Sequence, residues 1–147
     1  MSLNIELLES SFLQIKAQET EFMAHFYKTL FADYPEVKPL FANTHMGKQA
    51  KQLFKSLVLV VENLRNSDIL SNALQGLGTR HVKYGVLPEH YPMVGSTLLK
   101  TFSIYLGSAW TPNTEQAWIE AYTVVTELML SGTDYSSEIL TPHAQQV

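Results

Sequence analysis

A chain of 147 residues, 46% hydrophobic and 16% charged, suits one domain with a sizeable core and is too apolar for disorder. Roughly 70% of the unfolded chain's surface would be buried on folding, enough to enclose an internal pocket. The formal net charge of −4, with no dense Lys/Arg cluster, argues against nucleic-acid binding. The absence of cysteine excludes disulfides, thiolate metal sites, thiol nucleophiles and thioether-linked cofactors, so a metal must be held by histidine, carboxylate or a non-covalent cofactor.

No basic run precedes an apolar one at the N-terminus, so no secretion signal is read there. The longest strongly apolar run, residues 57–61, is far short of a membrane span, and a soluble cytoplasmic protein is the expectation. The apolar periodicity is helical throughout, with segments expected at about 3–18, 20–33, 35–41, 46–65, 67–82, 89–107 and 112–131. Pro35 suits a first helical turn, and Pro39 limits the length of that short helix. Ser67-Asp68 reads as a cap and Gly85 as a stop for the fifth segment. Pro88 and Pro92 bracket the start of the sixth segment, and Thr111-Pro112 opens the last. The expected architecture is all-α. Its helices are of unequal length, unlike those of an up-and-down bundle. Residues 1–131 are expected to form the domain, and 132–147 a loose tail.

Leu70, Leu74, Leu77 and His81 recur at steps of four, three and four, which places them on one helical face. A histidine closing a leucine stripe needs a partner, because a buried imidazole without one is costly. From the stripe alone, that partner is either a core hydrogen bond or a metal such as iron. Gln49, Leu53, Leu57, Val60 and Leu64 form a second stripe, and Tyr27 lies on a third with Met23, Leu30 and Phe31. Three polar groups on otherwise apolar faces of three helices are the usual ingredients of a cofactor pocket. Taken singly, Tyr27 reads as a core tyrosine with its hydroxyl reaching a carbonyl, and Gln49 as a solvated amide near a helix start. His25 and Lys28 read as solvated, His90 as a turn residue and His143 as part of the tail. His45, four residues before Gln49, stands near the mouth of such a pocket.

The runs Phe26-Tyr27-Lys28-Thr29-Leu30-Phe31, Tyr34-Pro35-Glu36-Val37 and Pro39-Leu40-Phe41 resemble the second and third helices of bacterial globins. The run from Arg80 to Val86, followed by His90-Tyr91-Pro92-Met93-Val94-Gly95, resembles their proximal histidine and next helix. Trp118 and Tyr122 fit the final helix. The subgroup resembled is the single-domain globins similar to the haem domain of flavohaemoglobins, over residues 3–131. The resemblance implies a three-over-three helical sandwich around non-covalent haem b. It makes His81 the proximal iron ligand through Nε2, and Phe41 the phenylalanine packed on the porphyrin. Tyr27, Gln49 and Leu53 become the distal tyrosine, glutamine and leucine. Leu57, Leu77, Val86, Val94 and Leu98 would complete the apolar wall, and Tyr91 would tune the proximal side.

The activity implied is reversible binding of O₂, NO and CO at five-coordinate iron, with Tyr27 and Gln49 stabilising bound O₂. Conversion of nitric oxide to nitrate is implied where a separate reductase supplies electrons, since 147 residues leave no room for a FAD- and NAD-binding domain. The resemblance departs at one point. The glutamate that polarises the proximal histidine in flavohaemoglobins falls in register at Thr133, with Asp134 adjacent and Glu127 nearly two turns earlier. Lys48, Lys51 and Arg80 read as a solvated face, with pairing to haem propionates as the alternative; His45 is placed to meet a propionate, with a swing into the sixth iron position as its alternative. A globin-type gas sensor or surface-signalling module is the rival class. The expected association state is monomer or weak homodimer.

Overall fold

Six α-helices and two short 3₁₀ segments account for the computed structural model, which describes residues 3–131 and 133. They are α1 (Ile5–Lys16), α2 (Glu19–Asp33), a 3₁₀ segment (Pro35–Phe41), α3 (Met46–Glu62), α4 (Ser67–Lys83), α5 (His90–Leu106), a 3₁₀ turn (Gly107–Ala109) and α6 (Pro112–Ser131). No strand occurs among the described residues. Among the described residues, no helix is long and apolar enough to cross a membrane. The expected tail, 132–147, lies outside the described residues except for Thr133.

The expected segments coincide with the observed ones to within a few residues, and the differences have local causes. Pro35 and Pro39 withhold two N–H donors from seven residues, and the segment closes as 3₁₀ turns rather than an α-helix. The cap of α4 is Asn66 and not Ser67-Asp68. The Asn66 side chain accepts from the Ile69 N–H at 3.4 Å, and Ser67 and Asp68 fall inside the first turn. The third long helix ends at Glu62 instead of residue 65, where Asn63 turns its side-chain amide back onto the Leu59 carbonyl at 2.8 Å. Thr111 caps α6 as its sequence indicates, accepting from the Thr114 N–H at 3.2 Å.

Helices α1, α5 and α6 pack on one another; α4 packs on α6, α2 on α5, and α3 on α1 and α2. The most extensive pairings are α4 along α6 and α2 along α5. Aromatic rings fill the centre. Phe102 stacks on Trp118 with centroids 4.4 Å apart, Phe22 meets Phe102 at 5.2 Å, and Phe12 stacks on Phe54 at 5.4 Å. The buried Trp118 indole donates to Ser11 Oγ at 2.9 Å, so its one polar atom is satisfied inside the core.

The buried residues fall into two clusters. The larger joins α1, α2, α3, α5 and α6; the smaller holds Val60, Leu70, Leu74, Tyr91 and Met129. Half-buried Leu64 touches both. This division positions the site, because each cluster carries its own fringe of half-buried apolar side chains.

Phe102→Ala should cost about 3–5 kcal/mol, as expected for an aromatic ring removed from a tight core. Chemical denaturation of wild type and variant measures it, and a loss below about 1 kcal/mol would mean the stack is not central.

Candidate functional site

His81 lies in the last turn of α4, half-buried, on the face that carries Leu70, Leu74 and Leu77 inward. Its Nδ1 is 2.8 Å from the Leu77 carbonyl oxygen, one turn back. A carbonyl only accepts, so Nδ1 must carry the proton and Nε2 keeps the lone pair. Burial holds the imidazole below its usual pKa against the opposing effect of the Leu77 bond, and the charge of Arg80 adds to the lowering. The ring is therefore neutral at pH 7.

The end of α4 holds the same residue from its other side. Gly85, at φ +85°, adopts the left-handed conformation that glycine accepts without strain. Gly85 N–H donates to the Val82 carbonyl at 3.1 Å, and Val86 N–H to the His81 carbonyl at 3.0 Å. These are the paired bonds of a Schellman closure, which brings Val86 back beside the histidine.

Tyr27, on α2, is buried in the larger cluster. Its ring meets Phe26 at 5.0 Å, Phe41 at 5.7 Å and Phe31 at 5.9 Å. Burial raises its hydroxyl pKa to about 12, and a side-chain hydrogen bond with Gln49 of α3 works in the opposite direction. The phenol is thus a fixed proton donor across the physiological range. Gln49 is half-buried and partnered rather than solvated.

Half-buried apolar side chains extend from both clusters. Phe41, Leu53, Leu57, Val94, Leu40 and Met93 rest on the larger; Leu77 and Val86 rest on the smaller. Leu98 lies deeper, within the larger cluster. Tyr91, buried in the smaller one, has its ring centroid 6.5 Å from that of His81.

The remaining candidates take structural posts. His45 caps α3, its Nδ1 accepting from the Lys48 N–H at 3.2 Å. His90 Nδ1 accepts from the Leu87 N–H at 2.9 Å. His25, expected to be solvated, is half-buried edge-on against Tyr105 at 5.6 Å, because α2 lies along α5 there. Lys48, Lys51 and Arg80 are exposed, and no ion pair among the described residues involves them. Thr133 turns its hydroxyl onto the Leu130 carbonyl at 2.7 Å, and Glu127 is exposed; Asp134 and His143 lie outside the described residues. The acceptor on His81 Nδ1 is therefore a neutral carbonyl and not a carboxylate. The sequence reading gave no role to Gly78, Gly95 and Met129, where α6 packs closely on α4 and α5. The only signal was a pair of glycines, Gly76 and Gly78, inside a helix that they weaken.

A family model for globins matches residues 24–129. The chain belongs to the globin family. Membership implies haem binding and gas ligands such as O₂. This globin is 28% identical over 129 residues to a flavohemoprotein of Vibrio cholerae, covering 86% of this chain and 33% of that protein. It is 37% identical over 100 residues to a flavohemoprotein of Rhizobium meliloti, covering 67% of this chain and 25% of that one. It thus spans about a quarter to a third of the length of these curated relatives, matching their globin part. Among solved structures it is similar to a bacterial globin from Campylobacter jejuni, with 31% identity and a TM-score of 0.74 over 86% of this chain and 91% of that one. It is also similar to an engineered carbene transferase, assigned as a nitric oxide dioxygenase, from Rhodothermus marinus. That match has 26% identity and a TM-score of 0.76 over 95% and 93% of the two chains.

A tyrosine whose folded-state pKa lies above its ordinary 10.0 resists ionisation that the unfolded chain undergoes. Stability from the neutral Tyr27 phenol should be complete below pH 10 and drain away as the pH rises towards about 12. Tyr122 is shifted upward as well, so the measurement is the difference in alkaline unfolding between wild type and Tyr27→Phe. Identical alkaline slopes in the two proteins would contradict the assignment.

Proposed function

We propose that this globin holds non-covalent haem b between its two apolar clusters and reversibly binds O₂, NO and CO at a five-coordinate iron, with His81 as the proximal ligand. The observation carrying this reading is the state of His81: with Nδ1 spent on Leu77, a neutral half-buried imidazole offers only the Nε2 lone pair to a further partner. The half-buried fringe of Phe41, Leu53, Leu57, Leu77, Val86 and Val94 is the surface that a flat, largely apolar ring system would cover.

Bound haem would supply an iron atom with one open position for a diatomic ligand. Tyr27 and Gln49 would face that position, the phenol as donor and the amide orienting it. A hydrogen bond to an acceptor that develops negative charge is worth about 1.5–3 kcal/mol, which slows ligand loss by about one to two decades. CO develops less charge and gains less. Leu53 and Leu57 would keep water from competing for the same donors. On the proximal side, a neutral carbonyl behind His81 gives less electron push than a carboxylate would, which suits ligand binding better than peroxide cleavage.

The flavohemoprotein relatives and the Rhodothermus marinus neighbour favour one extension, oxidation of nitric oxide. NO, O₂ and one electron combine to give nitrate. The electron must come from a donor other than the described residues, which correspond only to the globin part of those relatives.

Haemin-supplemented protein should show distinct oxidised, reduced and reduced-plus-CO absorption spectra that His81→Ala abolishes. A colourless protein, or a spectrum indifferent to that change, refutes the reading. Tyr27→Phe should speed O₂ dissociation at least about tenfold and CO dissociation less, as measured by stopped flow. An unchanged O₂ rate would remove Tyr27 as the donor.

A further inference from the structure

Two glycines lie inside α4, where each costs roughly 1 kcal/mol against alanine, yet their surroundings differ. A methyl group at Gly76 would meet only the tip of Arg80, with Nη1 3.7 Å away. A methyl group at Gly78 would overlap the Met129 carbonyl, 2.6 Å from its carbon and 2.9 Å from Met129 Cα. Backbone does not swing aside as a side chain does, so any residue but glycine at 78 must push α4 off α6. Gly78 follows Leu77, whose carbonyl holds the His81 ring, and precedes His81 by one turn.

A second recess lies on α5. A methyl group at Gly95 would strike the Tyr122 ring, 2.5 Å from Cε2. Seated there, Tyr122 donates its hydroxyl to the Tyr91 carbonyl at 2.7 Å, and the Tyr91 ring stands 6.5 Å from that of His81. Tyr122 and Met129 are two turns apart, so one face of α6 grips both helices.

We propose that this double grip sets the spacing of α4 and α5 and with it the place and tilt of the His81 ring, making Gly78 a positioning residue for the proximal nitrogen. A close-packed interior transmits such a displacement instead of absorbing it. The inference rests on the haem reading above, and the test separates the two.

Haem-loaded Gly76→Ala and Gly78→Ala are compared by haem loss to an excess of a scavenging apoprotein and by the iron–histidine stretching band in resonance Raman spectra. Gly78→Ala should lose haem about 10–100-fold faster, the usual cost of disturbing the support of a metal ligand, and should displace the band. Gly76→Ala should alter neither. In a His81→Gly background loaded with free imidazole, Gly78→Ala should no longer move the iron–imidazole band, because an untethered ring does not follow the helix. Tyr122→Phe keeps the ring in its recess and removes only the hydroxyl, providing a mild variant that retains the fold; its band should move by a smaller amount. An unmoved band in both Gly78→Ala and Tyr122→Phe, or an equal displacement with untethered imidazole, overturns the inference. Wild-type protein that takes up no haem would overturn the haem reading and this inference together. Haem uptake with identical Gly76→Ala and Gly78→Ala behaviour would overturn this inference alone.

Discussion

On the proposed reading, the bond from His81 Nδ1–H to the Leu77 carbonyl organises the chemistry of this protein. A carbonyl has two lone pairs, so the acceptor can serve the helix and the ring together. The bond fixes the tautomer, and burial keeps the ring uncharged. Because donor and acceptor belong to the same turn of α4, the imidazole can move only with its helix. The Schellman closure at Gly85 adds a second hold through the His81 carbonyl, so the residue is secured by its side chain and its backbone.

What surrounds that residue follows from the way the core divides. Had the apolar residues formed one continuous cluster, the half-buried leucines and valines of α3, α4 and α5 would have closed against one another. Instead the larger cluster gathers around the Phe102–Trp118 stack and the smaller one along α4 and α6, each with its own fringe. Tyr27 and Gln49 belong to the first side and His81 to the second. On the proposed haem reading, proton donors and a lone-pair donor would thereby stand on opposite sides of the bound group.

Much of this was legible in the chain because the signals were local. Thr111-Pro112 opens a helix wherever it stands, and Gly85 ends one for steric reasons that need no partner. The leucine stripe leading to His81 put the imidazole on an inward face. Where adjacent residues offered equal chemistry, the reading slipped: Asn66, Ser67 and Asp68 can all cap, and helix phase selected Asn66. The ring of His25 was misread because its cover, Tyr105, comes from a helix far along the chain. His45, expected from its spacing to stand near a pocket mouth, is a helix cap, a role open to any side chain with an acceptor at that position.

Helix positions and inward faces were determined by the sequence alone, since they depend on contacts spanning a few residues, and the lack of cysteine excluded thiolate chemistry outright. Tertiary structure decided that Gln49 is paired with Tyr27 and that α6 lies against Gly78 closely enough to exclude a methyl group. The reason is one of range. Periodicity records which side of a helix seeks burial, but the distance between two helices is settled only when the side chains and bare backbone of both are pressed together.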